Sequence, residues 1–356
     1  MSATIKDVAE LAGCSIATVS RYVNGTAPLS IESRARIELA IAQTGYRPSE
    51  IGRSLKRQAT RTLGMVVPSL TNPVFASSVS GFQSLARSRG FNVLIATSDY
   101  DPEIEAAAVE TFLGQSVDGL ALTVCDALAS PALAIIDASR KPNVLLYNEA
   151  DHAGRMAVTV DNVAAARAMT ELVLAQGHRR IAFLAGRFAA SDRSRLRYRG
   201  FAAALAASGL RPPAPVELDF FDDAPDAMLA RLIEREDRPT ALFCSNDMLA
   251  LAAIGALKRL GARVPEDMSV VGFDGIALGQ MVEPTLASVC QPAREMGEVA
   301  CTRLLNAIAG DIAEAVGCLA HDIRPGRSLG PVPCNPLAIS IASLAFPSHH
   351  KQETAR

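Results

Sequence analysis

The first 45 residues alternate between apolar and polar positions at helical spacing. The apolar positions of the first segment are Ile5, Val8, Ala9 and Ala12. This spacing predicts a short helix with one buried face. Gly13 can end the helix in a left-handed conformation, and Ser15 can cap a second helix that runs to about Asn24-Gly25. In the second helix Val19 and Val23 can face inward, whereas the other positions are small or polar.

A third helix is predicted over about residues 31–44. Ser30 can cap it, Gly45 can end it, and Ile37, Ala40 and Ile41 face inward while Arg34 and Arg36 face outward. Two short helices joined by a glycine-containing turn form a helix-turn-helix, whose second helix can enter a DNA major groove. The bare pattern also occurs in helix corners without any nucleic-acid role.

From residue 63 the pattern changes to short apolar runs that alternate with amphipathic segments. The predicted strands are Leu63–Val67, Asn92–Ala96, Gly119–Thr123, Asn143–Leu146, Arg180–Ala185, Thr240–Cys244 and Ser269–Phe273. The predicted helices are Val74–Arg89, Glu103–Gln115, Asn162–Gln176, Arg195–Ser208, Asn246–Leu260 and Arg294–Ile308. Such alternation over about 260 residues indicates an α/β fold with parallel sheets.

Charge separates the amino-terminal segment from the rest of the chain. Residues 1–61 hold nine Lys and Arg against five Asp and Glu, a net charge of about +4, whereas the whole chain carries −2. Positive charge concentrated on a small domain is typical of phosphate binding, so it supports a DNA-binding role independently of the helix pattern.

Composition narrows the class of protein further. The 356 residues are 49% hydrophobic and 20% charged, and no apolar run reaches the length of a membrane span. The amino terminus does not resemble a secretory signal. The seven cysteines are scattered and never at Cys-x-x-Cys spacing, which argues against disulfides or a zinc site. We therefore expect a cytoplasmic protein without a membrane partner, a metal or a cofactor.

Specific motifs resemble the LacI/GalR family of bacterial transcription regulators. Those motifs are Asp7-Val8-Ala9, Ala12-Gly13, Ala17-Thr18-Val19-Ser20-Arg21, Asn24-Gly25 and Tyr46-Arg47-Pro48. The resemblance implies an all-α headpiece followed by a two-lobed core like the type I periplasmic binding proteins. It implies four regions: a DNA-binding domain (1–48), a hinge (49–61), an effector-binding and dimerisation domain (62–330), and a carboxyl-terminal tail (331–356).

The same resemblance implies which residues meet DNA. They are Thr4, Ser15, Ile16, Ala17, Thr18, Ser20, Arg21 and Asn24 in the headpiece, and Arg53 and Leu55 in the hinge. Composition alone favours a plain charged linker for the hinge, which Gly52 weakens as a helix. The family instead places there a helix that folds on the operator, with Leu55 inserted into the minor groove.

Loops after the predicted strands supply the candidate ligand-binding residues, because open α/β sheets bind ligands at the carboxyl ends of their strands. The candidates are Ser69, Val74, Phe75, Arg197, Phe220, Asn246 and Asp274. Asn72 is interpreted mainly as a helix cap. By resemblance Arg197 reaches the effector, although an internal salt bridge is the alternative. Either Phe220 or Phe221 can stack on a sugar.

Three further positions near the predicted lobe crossing are weaker candidates: Asn148, Glu149 and Asp161, the last more often structural. Together these features predict a homodimeric regulator that binds double-stranded operator DNA. The first hypothesis is a repressor that a sugar, sugar acid or similar effector releases from its operator. The alternative is a co-repressor-dependent or activating regulator.

Other classes of protein fit the residues less well. The chain has no Gly-x-Ser-x-Gly motif, phosphate loop or metal-spaced cluster, so we do not expect an enzyme. A periplasmic sugar-binding protein could share the core but not the basic headpiece.

Overall fold

The computed structural model describes residues 3–24, 28–46, 60–149, 155–218, 225–311 and 316–333. The chain divides into two compact units, residues 1–62 with 116–118 and residues 63–115 with 119–356. We describe each unit separately.

The headpiece (residues 3–46) contains the three helices that the sequence predicts. They are α1 (Ile5–Ala12), α2 (Ile16–Asn24) and α3 (Ile31–Thr44). Thr4 and Asp7 form a capping box on α1, and Gly13 ends that helix at φ +60°. The Ser15 hydroxyl oxygen accepts the Thr18 backbone N–H at 3.1 Å at the start of α2.

A small apolar core holds these helices together. Val8, Val19 and Ile37 are fully buried, and the Tyr22 hydroxyl of α2 donates to Glu38 of α3 at 2.7 Å. The turn between α1 and α2 is therefore supported from both sides, which holds the exposed face of α2 in a fixed orientation.

The second unit alternates strands and helices along the chain. The strands are β1 (Thr62–Val67), β2 (Asn92–Thr97), β3 (Gly119–Leu122), β4 (Asn143–Leu146), β5 (Ala157–Val160), β6 (Ile181–Gly186), β7 (Val216–Leu218), β8 (Ala241–Cys244), β9 (Ser269–Asp274), β10 (Ala287–Cys290), β11 (Val316–Leu319) and β12 (Asp322–Arg324). The helices are α4 (Pro73–Ser88), α5 (Pro102–Gly114), α6 (Pro131–Ser139), α7 (Asn162–Ala175), α8 (Asp192–Ala207), α9 (Asp226–Ile233), α10 (Asp247–Arg259) and α11 (Ala293–Ala309).

Two six-stranded sheets make two lobes. Lobe 1 has the strand order β11-β5-β4-β3-β1-β2, and lobe 2 has β12-β10-β9-β8-β6-β7. The paired strands are parallel, except that β10 and β12 run antiparallel. The chain returns from lobe 2 to lobe 1 through α11 and β11, then crosses back to β12. This arrangement confirms the predicted two-lobed α/β core.

Every strand and helix predicted for this unit is present, with shifts of one to three residues at the ends. Strand β12 lies near residues 321–324, where the family resemblance implies a last strand. Four strands (β5, β7, β10 and β11) and two helices (α6 and α9) were not predicted. These strands have only three or four residues, too few to show a period. The largest boundary error lies in α8, which begins at Asp192 rather than Arg195, because Ser191 caps it through the Ser194 backbone N–H.

Glycines allow two helix pairs to pack closely. A Cβ at Gly81 of α4 would lie 2.1 Å from the Arg294 carbonyl oxygen of α11. A Cβ at Gly200 of α8 would lie 2.2 Å from the Val163 carbonyl oxygen of α7. Larger residues would force these helices apart, so both glycines help to fix the frame of the lobes.

The described residues contain neither a membrane-spanning helix nor a cluster of metal-binding side chains. None of their helices is both long and apolar enough to cross a bilayer. No group of three or more of their His, Cys, Asp or Glu side chains could hold a metal ion.

Candidate ligand cleft and candidate nucleic-acid interface

A narrow cleft, with a cavity volume of about 20 Å³, lies between the carboxyl ends of the two sheets. From lobe 1 it is lined by Asn72, Val74, Phe75, Tyr100 and Tyr147. From lobe 2 it is lined by Ser191, Arg193, Ser194, Arg197, Asn246 and Asp274. Gln291, on the segment that crosses between the lobes, completes the lining.

Arg197 and Asp274 form a buried ion pair in the lobe 2 wall. The Arg197 Nη1 lies 3.3 Å from Asp274 Oδ1, and it also donates to the Ser245 carbonyl at 2.6 Å. The guanidinium sits 3.7 Å above the ring of Phe273. Burial lowers the pKa of Arg197, but an arginine starts from a pKa above about 12 and stays charged.

Helix packing determines the position of Arg197. Gly200, one turn further along α8, lets that helix approach α7 closely, as described above. This approach brings the Arg197 Nε within 2.9 Å of the Asn162 side-chain oxygen at the start of α7. The Arg-x-Arg-x-x-Gly spacing of the sequence therefore has a physical basis, because the glycine permits the contact that orients the arginine.

Asp274 is held in a strained backbone conformation. Its φ is +122°, which non-glycine residues rarely adopt, and the following Gly275 has φ +70°. The carboxylate accepts Gln291 Nε2 at 2.8 Å and a hydrogen bond from the Asn72 side chain. Burial raises the pKa of Asp274, and the charge of Arg197 opposes that rise.

Asn246, which the sequence predicts to bind the ligand, has two roles in the structure. Its side-chain oxygen caps α10 through the Leu249 N–H at 2.8 Å, and its side chain lines the cleft. Asp247 lies behind the wall, where burial and then the charge of Asp274 raise its pKa to about 7.

The lobe 1 wall is apolar and aromatic. The ring of Phe75 meets the ring of Tyr147 edge-on, with centroids 5.2 Å apart, and lies 6.5 Å from that of Tyr100. The Tyr147 hydroxyl donates to the Val74 carbonyl at 2.9 Å. These contacts join Phe75 of α4 to the residues that follow β2 and β4 in one aromatic surface.

Asp192 and Arg193, at the start of α8, connect the lobes beside the cleft. The Asp192 carboxylate accepts Asn148 Nδ2 at 2.8 Å and the Ala127 backbone N–H at 3.2 Å, both from lobe 1. Arg193 Nη1 donates to the Val124 carbonyl at 2.7 Å. A change in the angle between the lobes would have to break or rearrange these contacts.

The structure brings most predicted ligand residues together. Five of the seven line the cleft: Val74, Phe75, Arg197, Asn246 and Asp274. Ser69 is not among the lining side chains, because its hydroxyl is engaged with Thr71 in its own loop at 2.8 Å. Phe220, like its alternative Phe221, lies outside the described residues.

The weaker candidates take supporting positions. Asn148 contacts Asp192, Glu149 is exposed, and Asp161 caps α7 through the Ala164 N–H at 2.8 Å. Sequence reasoning did not identify Tyr100, Tyr147, Ser191, Arg193, Ser194 or Gln291. Ser191 followed by Asp192 is a helix-cap signal. Had α8 been predicted to begin there, Ser191, Arg193 and Ser194 would have been placed beside the cleft.

The predicted DNA-facing residues of the headpiece cluster at the start of α2. Ile16, Ala17 and Arg21 are exposed, and Thr18 and Ser20 are half-buried. Thr4 and Ser15 are exposed, and both cap helices. The side chain of Asn24, and all of Arg53 and Leu55, lie outside the described part of the chain.

Comparison with protein families gives two matches. Residues 4–49 match the family described as "Bacterial regulatory proteins, lacI family", and residues 170–328 match the "Periplasmic binding protein-like domain".

The comparison with curated proteins extends over nearly the whole chain. The chain is 34% identical over 328 residues to the HTH-type transcriptional regulator GntR of Escherichia coli (strain K12), and the match covers 91% of this chain and 98% of that protein. It is also 34% identical over 317 residues to the HTH-type transcriptional repressor CytR of the same strain, covering 87% of this chain and 91% of that protein.

Among solved structures, the chain is similar to the Lac repressor dimer bound to operator and the anti-inducer ONPF. The TM-score is 0.81 at 28% identity, covering 93% of this chain and 100% of that one.

Proposed function

This chain belongs to the LacI family of bacterial regulatory proteins, and we propose that it is a homodimeric repressor whose operator affinity a small molecule controls. The proposed domains are a DNA-binding headpiece (1–48), a hinge (49–61), an effector-binding and dimerisation domain (62–330) and a tail (331–356). The cytoplasm is its proposed location.

The exposed start of α2 is the observation that carries the DNA-binding assignment. Ile16 and Ala17 present apolar side chains that suit thymine methyl groups, and Arg21, one turn later, suits guanine O6 and N7. The opposite face of α2 holds Val19, which is fully buried in the headpiece core. The helix can therefore present its exposed face to DNA without losing its own packing.

The cleft supports the second half of the proposal. It combines a guanidinium, a carboxylate and amide groups with an aromatic wall, which is the mixture that binds small hydroxylated molecules. The neighbouring solved structures include a "transcriptional regulator CelR-cellobiose complex", 29% identical with a TM-score of 0.68. We infer that a sugar, sugar acid or similar metabolite enters this cleft.

The contacts of Asp192 and Arg193 across the lobes give a route from ligand to DNA. A ligand that binds one arrangement of the lobes better than another shifts the population toward it. In a dimer, a change in lobe angle alters the separation of the two headpieces and hence operator affinity. Arg53 and Leu55 of the hinge are proposed to meet the minor groove, with Leu55 as the wedge.

The test compares binding-site profiles. We expect full-length protein to select a pseudo-palindromic site from random DNA, and Arg21→Ala to lose about 1–3 kcal/mol and relax the preference at one position in each half-site. Arg36→Ala, an exposed arginine of α3, is the control. It should weaken binding without changing the base profile.

Two results would contradict the proposal. An unchanged profile in the Arg21→Ala protein would remove the base-reading assignment. Failure of the wild-type protein to select any site, with binding insensitive to salt, would remove the DNA-binding function itself.

A further inference from the structure

Arg193 has a hydrogen-bonding group that the described residues leave unused. Its side chain is only 5% exposed, yet it lines the cleft. Nη1 donates to the Val124 carbonyl and lies 3.2 Å from Asp192 Oδ1. Nη2 is buried, and no hydrogen-bond partner for it exists among the described residues. A buried charged donor without an acceptor is unfavourable, so this atom is a place where a ligand acceptor would be strongly bound.

The lining carries an excess of positive charge. It contains two arginines, Arg193 and Arg197, but one acid, Asp274. The Asp274 carboxylate is already occupied, because it accepts hydrogen bonds from Arg197, Gln291 and Asn72. Its charge is therefore not free to balance Arg193.

Helix ends add to the positive potential. The first residues or caps of three helices line the cleft: Asn72 and Val74 of α4, Ser191 and Ser194 of α8, and Asn246 of α10. Each helix amino terminus carries a partial positive charge of roughly half an electron. All three ends favour an anion over a neutral ligand.

Acids near the cleft lie behind its walls and are themselves engaged. Asp192 forms a buried ion pair with Nη1 of Arg193 and accepts Asn148 and Ala127 from lobe 1, so it balances the Arg193 charge but leaves Nη2 without an acceptor. Burial raises the pKa of Asp247 to about 7, so this acid is only partly ionised near neutral pH, whereas Glu105, with a pKa raised to about 6, is mostly ionised there.

We propose that the effector is a small hydroxylated carboxylic acid whose carboxylate pairs with Nη2 of Arg193. This inference rests on the proposed function and specifies the chemical class of its ligand. One open donor group, Nη2 of Arg193, matches the single charge of a monoanion better than the two charges of a phosphate dianion. Arg197, Asn246 and Asn72 are left to meet hydroxyl groups.

The assignment also connects the ligand to the lobes. Arg193 belongs to lobe 2, and its other terminal nitrogen binds the Val124 carbonyl of lobe 1. A carboxylate on Nη2 would fix the guanidinium plane and therefore this contact between the lobes. The acid group is thus placed where it can influence lobe angle as well as affinity.

The experiment measures binding of matched acid and neutral probes to the full-length protein by calorimetry. The pairs are D-gluconate with D-glucitol, D-galactonate with D-galactitol, and D-glucuronate with D-glucose, and D-glucose 6-phosphate is the dianionic probe. We expect at least one acid to bind roughly 10- to 100-fold more tightly than its neutral partner, as expected for one charge-assisted hydrogen bond.

Variants assign this preference to one side chain. Arg193→Met should remove the preference for the acid over its neutral partner. Arg193→Gln keeps a donor for the Val124 carbonyl and should also remove the preference, so it replaces the methionine variant if that one does not fold. Arg195→Met is the matched control, because Arg195 lies on the same helix, is 42% exposed and pairs with Asp126 outside the lining. It should keep the preference.

Several outcomes would overturn the inference: a neutral partner that binds as tightly as its acid, an Arg193 variant that keeps the preference, no binding by any acid, or tightest binding by the phosphate. If a neutral sugar binds and its binding requires Arg197 but not Arg193, the inference of an acidic effector is wrong, whereas the proposed function remains. Loss of site selection on DNA would instead refute the proposed function, whatever the cleft binds.

Discussion

The two walls of the cleft differ in chemistry although they come from sheets of the same design. The lobe 1 wall presents Val74, Phe75 and two tyrosines, and among its described lining residues none is charged. The lobe 2 wall presents two arginines and an aspartate. One wall can exclude water and pack against an apolar ligand face, while the other supplies directional, charged contacts. Low polarity on the first side strengthens the electrostatic contacts of the second.

The largest expected effect comes from separating the buried charges of lobe 2. Asp274→Ala leaves the Arg197 guanidinium buried without its counter-ion, so we expect a loss of about 3–5 kcal/mol in the free energy of unfolding. Arg197→Met should be similarly destabilising. The double variant should be less destabilised than the sum of the two, because it leaves neither charge unpaired. Urea unfolding measures all three.

A surface pair provides the control. Asp226 and Arg259 form an ion pair in the same lobe, with the arginine side chain 57% exposed. Asp226→Ala should therefore change stability by about 0–1 kcal/mol. Equal losses for Asp274→Ala and Asp226→Ala would show that the cleft pair is not a buried one. Asp274→Asn keeps the size of the side chain and should be less destabilising, so it is the variant for ligand-binding measurements.

The difference between the walls also explains what the sequence could predict. Arg197 and Asp274 stand at fixed spacings from glycines and strand ends, so a motif indicates them. Tyr100 and Tyr147 follow β2 and β4 without any such motif. Both have positive φ angles, +60° and +67°, which cannot be predicted from the presence of a tyrosine. Their convergence on Phe75 depends on the order of strands in the sheet, which alternation alone does not specify.

A similar limit applies to elements and to contacts between lobes. The long amphipathic helices could be predicted because burial imposes a period over three or more turns. The short strand β7 could not, since three residues carry no period and its pairing with β6 joins residues distant in sequence. Asp192 reaches Asn148 across 44 positions of the chain, which only the folded arrangement reveals.

Glu105 is a buried acid on the lobe 1 side of the cleft. It should give the second largest effect, a change in the free energy of unfolding with pH. Its Oε1 accepts the Cys125 backbone N–H at 2.8 Å, and burial raises its pKa from 4.5 to about 6. The folded protein therefore binds this proton more tightly than the unfolded chain does. Its stabilising contribution is complete below pH 4.5 and is lost as pH rises through about 6.

Glu105→Gln isolates that contribution. The stability of the wild type relative to this variant should fall by about 2 kcal/mol between pH 4.5 and pH 7, measured by denaturant unfolding at each pH. The amide can keep the Cys125 contact through its carbonyl oxygen. Glu110→Gln, an exposed residue of the same helix, is the control and should track the wild type. A constant difference between Glu105→Gln and wild type would show that the acid is not buried in solution.

The smallest effect tests whether the lobe 1 wall contributes packing without charge selection. Phe75→Leu removes the edge-on contacts with Tyr147 and Tyr100 but keeps an apolar side chain, so stability should fall by only about 1–1.5 kcal/mol. Phe82→Leu, on the same helix but fully buried away from the lining, should lower stability by a similar amount and leave ligand affinity unchanged. In calorimetry, Phe75→Leu should weaken the acid and its neutral partner by the same factor, because an aromatic face contacts the part that the two molecules share. If the acid loses more than its neutral partner, the aromatic wall takes part in charge selection, and the division of labour between the two walls is wrong.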